Sequence, residues 1–455
     1  VTDRTPTLGA LARALDSGET TSRTLVENCL ERIADPAGEG PRVYLTTHVA
    51  AARAAADAVD RMRAAGLAPH PLAGVAISVK DLFDEAAQVT TAGSRVLADA
   101  APAGRDAVAV ARLRAAGLVV LGRTNMSEFA FSGVGLNPHH GTPRNPWDRA
   151  TGRIPGGSSS GAAVSVADGM AHAALGTDTG GSCRIPAALC GVTGFKPTAR
   201  RVPTRGVFPL SPTLDSVGPL GRSVDCCARL DAILSGRAED GGAAPVEVAG
   251  LRLGAPPTTV LEDLDESVAR AFDRALGRLS AAGARIDTRP LPMLREAAGI
   301  HAGGGIVVAE AFAMHRGRLA VAGDAYDPRV RQRIEAGAAM GAADLVDVLR
   351  ARADLGGRFH AALAPFDAMV WPTAPMVAPP LDAVRADADF RRINMRLLRN
   401  TAIVNAMDAC AVSLPCHEPG TAPVGLMVTG GHGADRRTLS VAAAIEAVVA
   451  SEGPP

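Results

Sequence analysis

Helical patterns and short apolar runs alternate along most of this 455-residue chain, and that alternation constrains its fold more than any other feature. Helix periodicity marks TLGALARALDSG, SRTLVENCLERIA and AARAAADAVDRMRAAG, the last stopped by Gly66. It returns in DAVAVARLRAAG, ESVARAFDRALGRLSAAG and RTLSVAAAIEAVVA. Between them lie strand candidates: LAGVAISVKD, LVVLGRT, AHAALGTDT, LRLGAP, FDAMVWPT, CAVSLP and VGLMVTG. This order of elements predicts an α/β fold with parallel strand pairing. No repeat of fixed period and no long low-complexity linker divides the chain. The stretch RAEDGGAAPVEVAG, from 237 to 250, is the best candidate for a boundary, or else a surface loop within one domain.

Charge and cysteine usage narrow the class. The 47 basic residues balance 47 acidic ones, so the chain carries no field suited to nucleic acid or an anionic membrane. The first residues, VTDRTPTLGALARALDSGETTSRTL, lack the apolar core of a signal peptide, and no apolar run approaches membrane-helix length. Seven cysteines, an odd number with no C-x-x-C pair, predict buried free thiols in a cytoplasmic protein rather than a disulfide framework or zinc site. Only Lys80 and Lys196 among the basic residues are lysines. Arginine does not lose its proton in proteins, whereas a desolvated lysine can, so each lysine is a candidate for work that arginine cannot do.

The stretch PGGSSSGAAVSVADGMAHAALGTDTGGSCRIPA, residues 155 to 187, concentrates serines among glycines. It lacks the lysine and spacing of a phosphate-binding loop. Gly157 to Gly161 matches G-x-S-x-G, with His417 and His432 as distant bases. A nucleophile elbow, however, needs a strand directly before it, and TGRIPG stands there instead. A third reading uses two glycine-flanked serines, Ser158 and Ser182, with Lys80 as base. The glycines before Ser182 let several backbone N–H groups converge on a developing oxyanion and let substrate approach closely. Lys80, with an ordinary pKa of about 10.4, must then be desolvated to be neutral at working pH.

Taken in order, LAGVAISVKDLFD, TTAGS, VVLGRTNMSEFA, HHGTPRNPWD, PGGSSSG, GTDTGGSCRIPAALCGVTGFKPT and TLDSVGPLGRSVDC resemble the amidase signature family. MVWPTAP, NTAIVNAMDACAVSLP and PVGLMVTG resemble its closing strands. The resemblance is dense from about 70 to 225 and from 367 to 445. It implies one α/β domain over 1–455, with a mixed, twisted central sheet flanked by helices. Within it, 70–225 would be the catalytic core and 236–366 a variable helical region shaping the substrate pocket.

The resemblance implies hydrolysis of a carboxamide through an acyl-enzyme. Ser182 matches the nucleophile, Ser158 a bridging serine on a cis peptide after Gly157, and Lys80 the base. The N–H groups of Thr179, Gly180, Gly181 and Ser182 match the oxyanion hole. Neither metal nor organic cofactor is required. Met126, Gly157 and Arg153 stand as candidate substrate contacts; Arg153 could pair with an acidic substrate. Asp178 and Arg184 read as loop-holding ion pairs, Ser159 and Ser160 as scaffolding, and Lys196 as structural. His172 reads as packed, and His139 and His140 as loop residues. Ser160, Cys183 and Met427 depart from the family's usual Gly, Ile and Gln.

The expected partner is a small-molecule amide, with no direct nucleic acid or membrane contact and a homodimer as the expected assembly. The leading function is amidase action on a small or medium carboxamide. The alternatives are the glutaminase subunit of a tRNA-dependent amidotransferase, a hydrolase of biuret-like or allophanate-like urea derivatives, and a non-catalytic scaffold.

Overall fold

In the computed structural model, which describes residues 6–237, 242–300 and 304–450, each of the seven apolar runs forms a strand. Four further strands complete the set. In chain order they are β1 (Tyr44–Thr47), β2 (Ala76–Lys80), β3 (Val119–Thr124), β4 (Ala173–Asp178), β5 (Thr193–Lys196) and β6 (Ser216–Gly221). Then follow β7 (Arg252–Gly254), β8 (Arg285–Asp287), β9 (Ala368–Pro372), β10 (Cys410–Pro415) and β11 (Gly425–Gly430). Among the described residues they make one 11-stranded sheet, in the order β1-β3-β2-β4-β6-β5-β10-β11-β9-β7-β8. Residues 238–241 of the candidate boundary lie outside the described residues. The strands on either side of that boundary share the sheet.

Parallel pairing, expected from the alternation of elements, holds in two places: β3–β2–β4 and β9–β7–β8. From β4 through β6, β5, β10 and β11 to β9 the pairs are antiparallel. The sheet is therefore mixed. The helices Val108–Ala115 and Ser160–Ala167 serve as crossovers to β3 and β4. Strands β10 and β11 instead pair as neighbours across a short connection and need no crossover. The strand β6 escapes sequence reading because Pro219 sits inside it, and a proline ordinarily argues against a central strand.

Both faces of the sheet are apolar, which hides the period-two alternation of a one-sided strand. In β2, Ile77 and Val79 belong to one buried cluster, while Ala76 belongs to another on the opposite face. In β9, Ala368 and Val370 face one cluster, and Met369 and Trp371 the other. Helix starts and stops follow local chemistry. Thr7 caps Leu8–Asp16, Thr21 caps Ser22–Ala34, and Gly66, at φ +70, follows the helix Val49–Ala64. All seven cysteines are buried free thiols. The stretch Met293–Ala325 is long and apolar enough to cross a membrane, but its helix Gly305–Ala322 buries Ile306, Val308 and Ala311 within the protein.

The alternation in β2 also aims the chemistry. Ser78 and Lys80 share the face opposite Ile77 and Val79. That face lies against the helix Ser160–Ala167, where Ser78 Oγ meets Ser165 Oγ at 2.9 Å.

Candidate active site

Lys80 ends β2 fully buried. Its Nζ donates to Ser158 Oγ at 2.8 Å, Thr177 Oγ1 at 2.9 Å and Ser159 Oγ at 3.0 Å. Three hydroxyls thus match the three donors of an ammonium group, and among the described residues no carboxylate forms an ion pair with it. Burial pulls the pKa of Lys80 down to about 8, against the upward pull of the more distant Asp178 and Asp215. Of its hydroxyl partners only Ser158 is expected from the sequence. Thr177 carries one sequence signal, a hydroxyl inside the otherwise apolar run AHAALGTDT. The Ser159 contact has none, because its neighbours Ser158 and Ser160 look the same in sequence.

The two serine segments meet beside this amine. The Gly157–Ser158 peptide is cis. A side chain at Gly157 would meet Gly135 N at 2.7 Å and Ser127 Oγ at 2.8 Å, so the approach of the two loops requires glycine there. Ser127 N–H donates to the Ser158 carbonyl at 3.1 Å, and Ser159 N–H to the Ser182 carbonyl at 3.3 Å. No hydrogen bond links the Ser158 and Ser182 hydroxyls directly in this structure. The backbone alone joins the two.

The loop bearing Ser182 is wound around one carboxylate. Asp178, at the end of β4, accepts Gly181 N–H at 2.9 Å and Cys183 N–H at 3.1 Å. It also accepts Arg184 Nη2 at 2.9 Å, Arg184 Nε at 3.0 Å and Asn405 Nδ2 at 3.0 Å. Both members of the ion pair are wholly buried. Burial alone would raise the pKa of Asp178; the Arg184 charge and its hydrogen bonds outweigh that and hold it at about 2. Arg184 Nη1 also reaches the Met427 sulfur at 3.2 Å. Thr179 Oγ1 donates to Asp215 at 2.5 Å, and burial lifts Asp215 to about 6.

One expected oxyanion donor is spent elsewhere. The Gly181 N–H points to Asp178, whereas Thr179, Gly180 and Ser182 have no acceptor for theirs among the described residues. The same three line a cavity of about 430 Å³, and Gly181 does not. Apolar side chains dominate its remaining wall, among them Phe131, Leu210, Val308 and Leu398. Residues of the 236–366 stretch contribute, including Val307, Val308 and Arg333.

The three candidate substrate contacts are not among the lining residues. Met126 is fully buried in a core cluster, and Gly157 N–H donates to the Gly133 carbonyl at 2.8 Å. Arg153 is occupied by Asp148 at 2.8 Å, the Ala378 carbonyl at 2.9 Å and the Trp147 ring at 4.4 Å. The remaining residues hold structure. Lys196 Nζ donates to the Pro197 and Ala409 carbonyls. His172 is buried, its pKa lowered to about 4 by that burial. His139 meets the buried Glu128 at 2.8 Å.

The family model described as Amidase matches residues 24–439. The chain is 37% identical over 447 residues to 2-amino-5-chloromuconic acid deaminase from Comamonas testosteroni, covering 96% of this chain and 95% of that one. It is 40% identical over 299 residues to a glutamyl-tRNA(Gln) amidotransferase subunit from Salinibacter ruber, covering 63% of this chain and 57% of the other. Among solved structures, a crystal structure of an amidase matches with a TM-score of 0.88 and 34% identity, covering 97% of this chain and 99% of that chain.

Two substitutions test the loop. Arg184→Met strands the buried Asp178 carboxylate and is expected to cost about 3–5 kcal/mol in denaturant unfolding. An unchanged midpoint would show that the pair does not hold the loop. Gly181 has φ +138, and a Cβ there would lie 2.3 Å from Thr401 Oγ1. Gly181→Ala should therefore displace Ser182, read as loss of its labelling by a fluorophosphonate.

Proposed function

From the premise that this chain belongs to the amidase signature family, we propose that it hydrolyses a small or medium carboxamide through an acyl-enzyme on Ser182. The observation that carries the reading is a buried lysine bonded to neutral hydroxyls only, beside a serine loop that opens into a cavity. Lys80 in its neutral form accepts the Ser158 proton, and Ser158 accepts that of Ser182 as its Oγ attacks the carbonyl carbon. The link between the two serine hydroxyls closes when substrate is bound, as catalytic hydrogen bonds often do. The N–H groups of Thr179, Gly180 and Ser182 receive the oxyanion. Collapse of the tetrahedral intermediate breaks the C–N bond, and the relay runs backward to protonate the departing amine or ammonia. Water then attacks the acyl-enzyme with the same relay, releasing the carboxylate and restoring Ser182.

Asp178, Arg184 and Asp215 are positioning residues in this scheme. Ser159 and Thr177 hold the amine in place. Balanced charge and buried thiols favour a cytoplasmic enzyme whose partner is a small molecule. A second reading, the glutaminase subunit of an amidotransferase, draws on the match to the glutamyl-tRNA(Gln) amidotransferase component from Salinibacter ruber. Assaying the purified chain alone on glutamine, simple carboxamides and 2-amino-5-chloromuconic acid separates the readings. Turnover of amides by the chain alone supports the first; turnover only with a partner supports the second.

Ser182→Ala should abolish both turnover and fluorophosphonate labelling, with mass spectrometry of the wild-type adduct placing it on Ser182. Lys80→Arg keeps the charge but loses the base, and should lower kcat/KM by roughly 10²–10⁴-fold. Activity that survives Lys80→Arg sinks the relay. Because the reacting form of Lys80 is the deprotonated one, kcat/KM should climb with pH. It should level off above about 8, the value to which burial lowers this lysine. A profile flat from pH 6 to 9 would assign the base elsewhere.

A further inference from the structure

The turn at 210–215, just before β6, is gripped by two carboxylates from different parts of the chain. Asp215 grips it from within, accepting Leu210 N–H at 3.0 Å and Ser211 N–H at 3.1 Å. Glu310 grips it from outside, from the helix Gly305–Ala322. Its Oε2 accepts the Ser211 hydroxyl and, at 3.2 Å, Thr213 N–H, while its Oε1 accepts the Thr213 hydroxyl. Every one of these partners is a neutral N–H or O–H, so direction is fixed as well as distance.

The grip continues to the nucleophile loop. Asp215 Oδ1 accepts the Thr179 hydroxyl at 2.5 Å. Thr179 lines the cavity, and its N–H belongs to the Asp178–Thr179 peptide, which is trans. In a trans peptide the carbonyl and the N–H point opposite ways. The Asp178 carbonyl accepts Ser216 Oγ at 3.2 Å and Asn405 Nδ2 at 3.3 Å, which fixes that end of the peptide. The other end is held through the Thr179 hydroxyl, and so by Asp215 and the turn behind it. Val307 stands three residues before Glu310 and shares its helix face. It lines the same cavity, as does Leu210 in the turn.

We propose that Glu310 is a positioning residue for the oxyanion hole: it fixes the 210–215 turn, and through Asp215 and Thr179 the peptide N–H that receives the oxyanion. The helix that supplies part of the cavity wall and the donor that meets the transition state are thereby one mechanical unit. This rests on the amidase reading above and deepens it, giving the 236–366 stretch a part in turnover as well as in pocket shape.

The test uses the simple carboxamide that the wild type turns over best. Glu310→Ala should lower its kcat by about ten- to hundredfold, since a misplacement of about 1 Å costs up to about 10²-fold. KM should stay within about twofold, because oxyanion donors act in the transition state. Fluorophosphonate should still label Ser182 to full stoichiometry, at a rate lowered in step with kcat. A double-mutant cycle separates positioning from general stability. In a Thr179→Val background, which offers Asp215 no hydroxyl, Glu310→Ala should cost less than about threefold more. In a Thr179→Ser background, which keeps the hydroxyl, its full cost should return. Equal losses from Glu310→Ala in the valine and serine backgrounds overturn the proposal, as does a raised KM at unchanged kcat. Glu310→Gln keeps the side-chain volume and one acceptor oxygen, and carries the same cycle if Glu310→Ala does not fold. It should lower kcat by about fivefold, and an unchanged kcat there also overturns the proposal. Failure of the amidase reading looks different: the wild type itself shows no fluorophosphonate adduct on Ser182 and turns over no amide.

Discussion

The Asp178 carboxylate is the constraint on which the site depends. It sits where β4 ends, and everything after it must bend to satisfy it. Two backbone N–H groups, the Nε and Nη2 of Arg184 and the amide of Asn405 converge on its two oxygens. A buried charge with fewer partners would protonate or recruit water; this one stays ionised at the cost of fixing the chain around it. The consequence is that the loop from Thr179 to Cys183 has little freedom. Ser182 is presented to the cavity, and the Gly181 N–H is turned away from it. Thr401 closes the loop from outside by donating to the Gly180 carbonyl at 2.7 Å.

A contrast between the two lysines shows how burial is converted into chemistry or into structure. Both are buried, and burial lowers the pKa of both. Lys196 faces the carbonyls of Pro197 and Ala409, which accept hydrogen bonds and have no proton to exchange. Lys80 faces hydroxyls, each of which can give a proton as well as accept one. The same side chain is thus a strut in one place and, in the proposed scheme, a base in the other. The difference lies wholly in the partners.

How much of this was legible in the sequence follows from range. The seven apolar runs became strands because burial on both faces demands apolar residues at every position, a signal that survives in one dimension. The family resemblance implied a mixed sheet, but which pairs run antiparallel was not legible, since direction is set by where each connection returns, and β6 was hidden by Pro219. In the site, Lys80 stood out as one of two lysines and Ser158 and Ser182 by their glycine surroundings. Arg153 looked available because its position lies five residues before Ser158. In the fold it turns to Asp148 and Trp147 instead.

The sequence by itself determined the kind of chemistry: an isolated lysine at a strand end, serines between glycines, and the ordered motifs that identify the family. These are matters of residue type and local spacing, which the chain carries before it folds. Only the tertiary structure decided which hydroxyls meet Lys80 and which N–H groups of the serine loop are spent on Asp178. Ser159 and Thr177 join Ser158 at Lys80 because β2, β4 and the helix Ser160–Ala167 meet there. The Gly181 N–H is turned from the cavity because it is claimed by a carboxylate three residues earlier. Hydrogen-bond and charge partners are assigned by packing of segments far apart in the chain, and each donor can be spent only once.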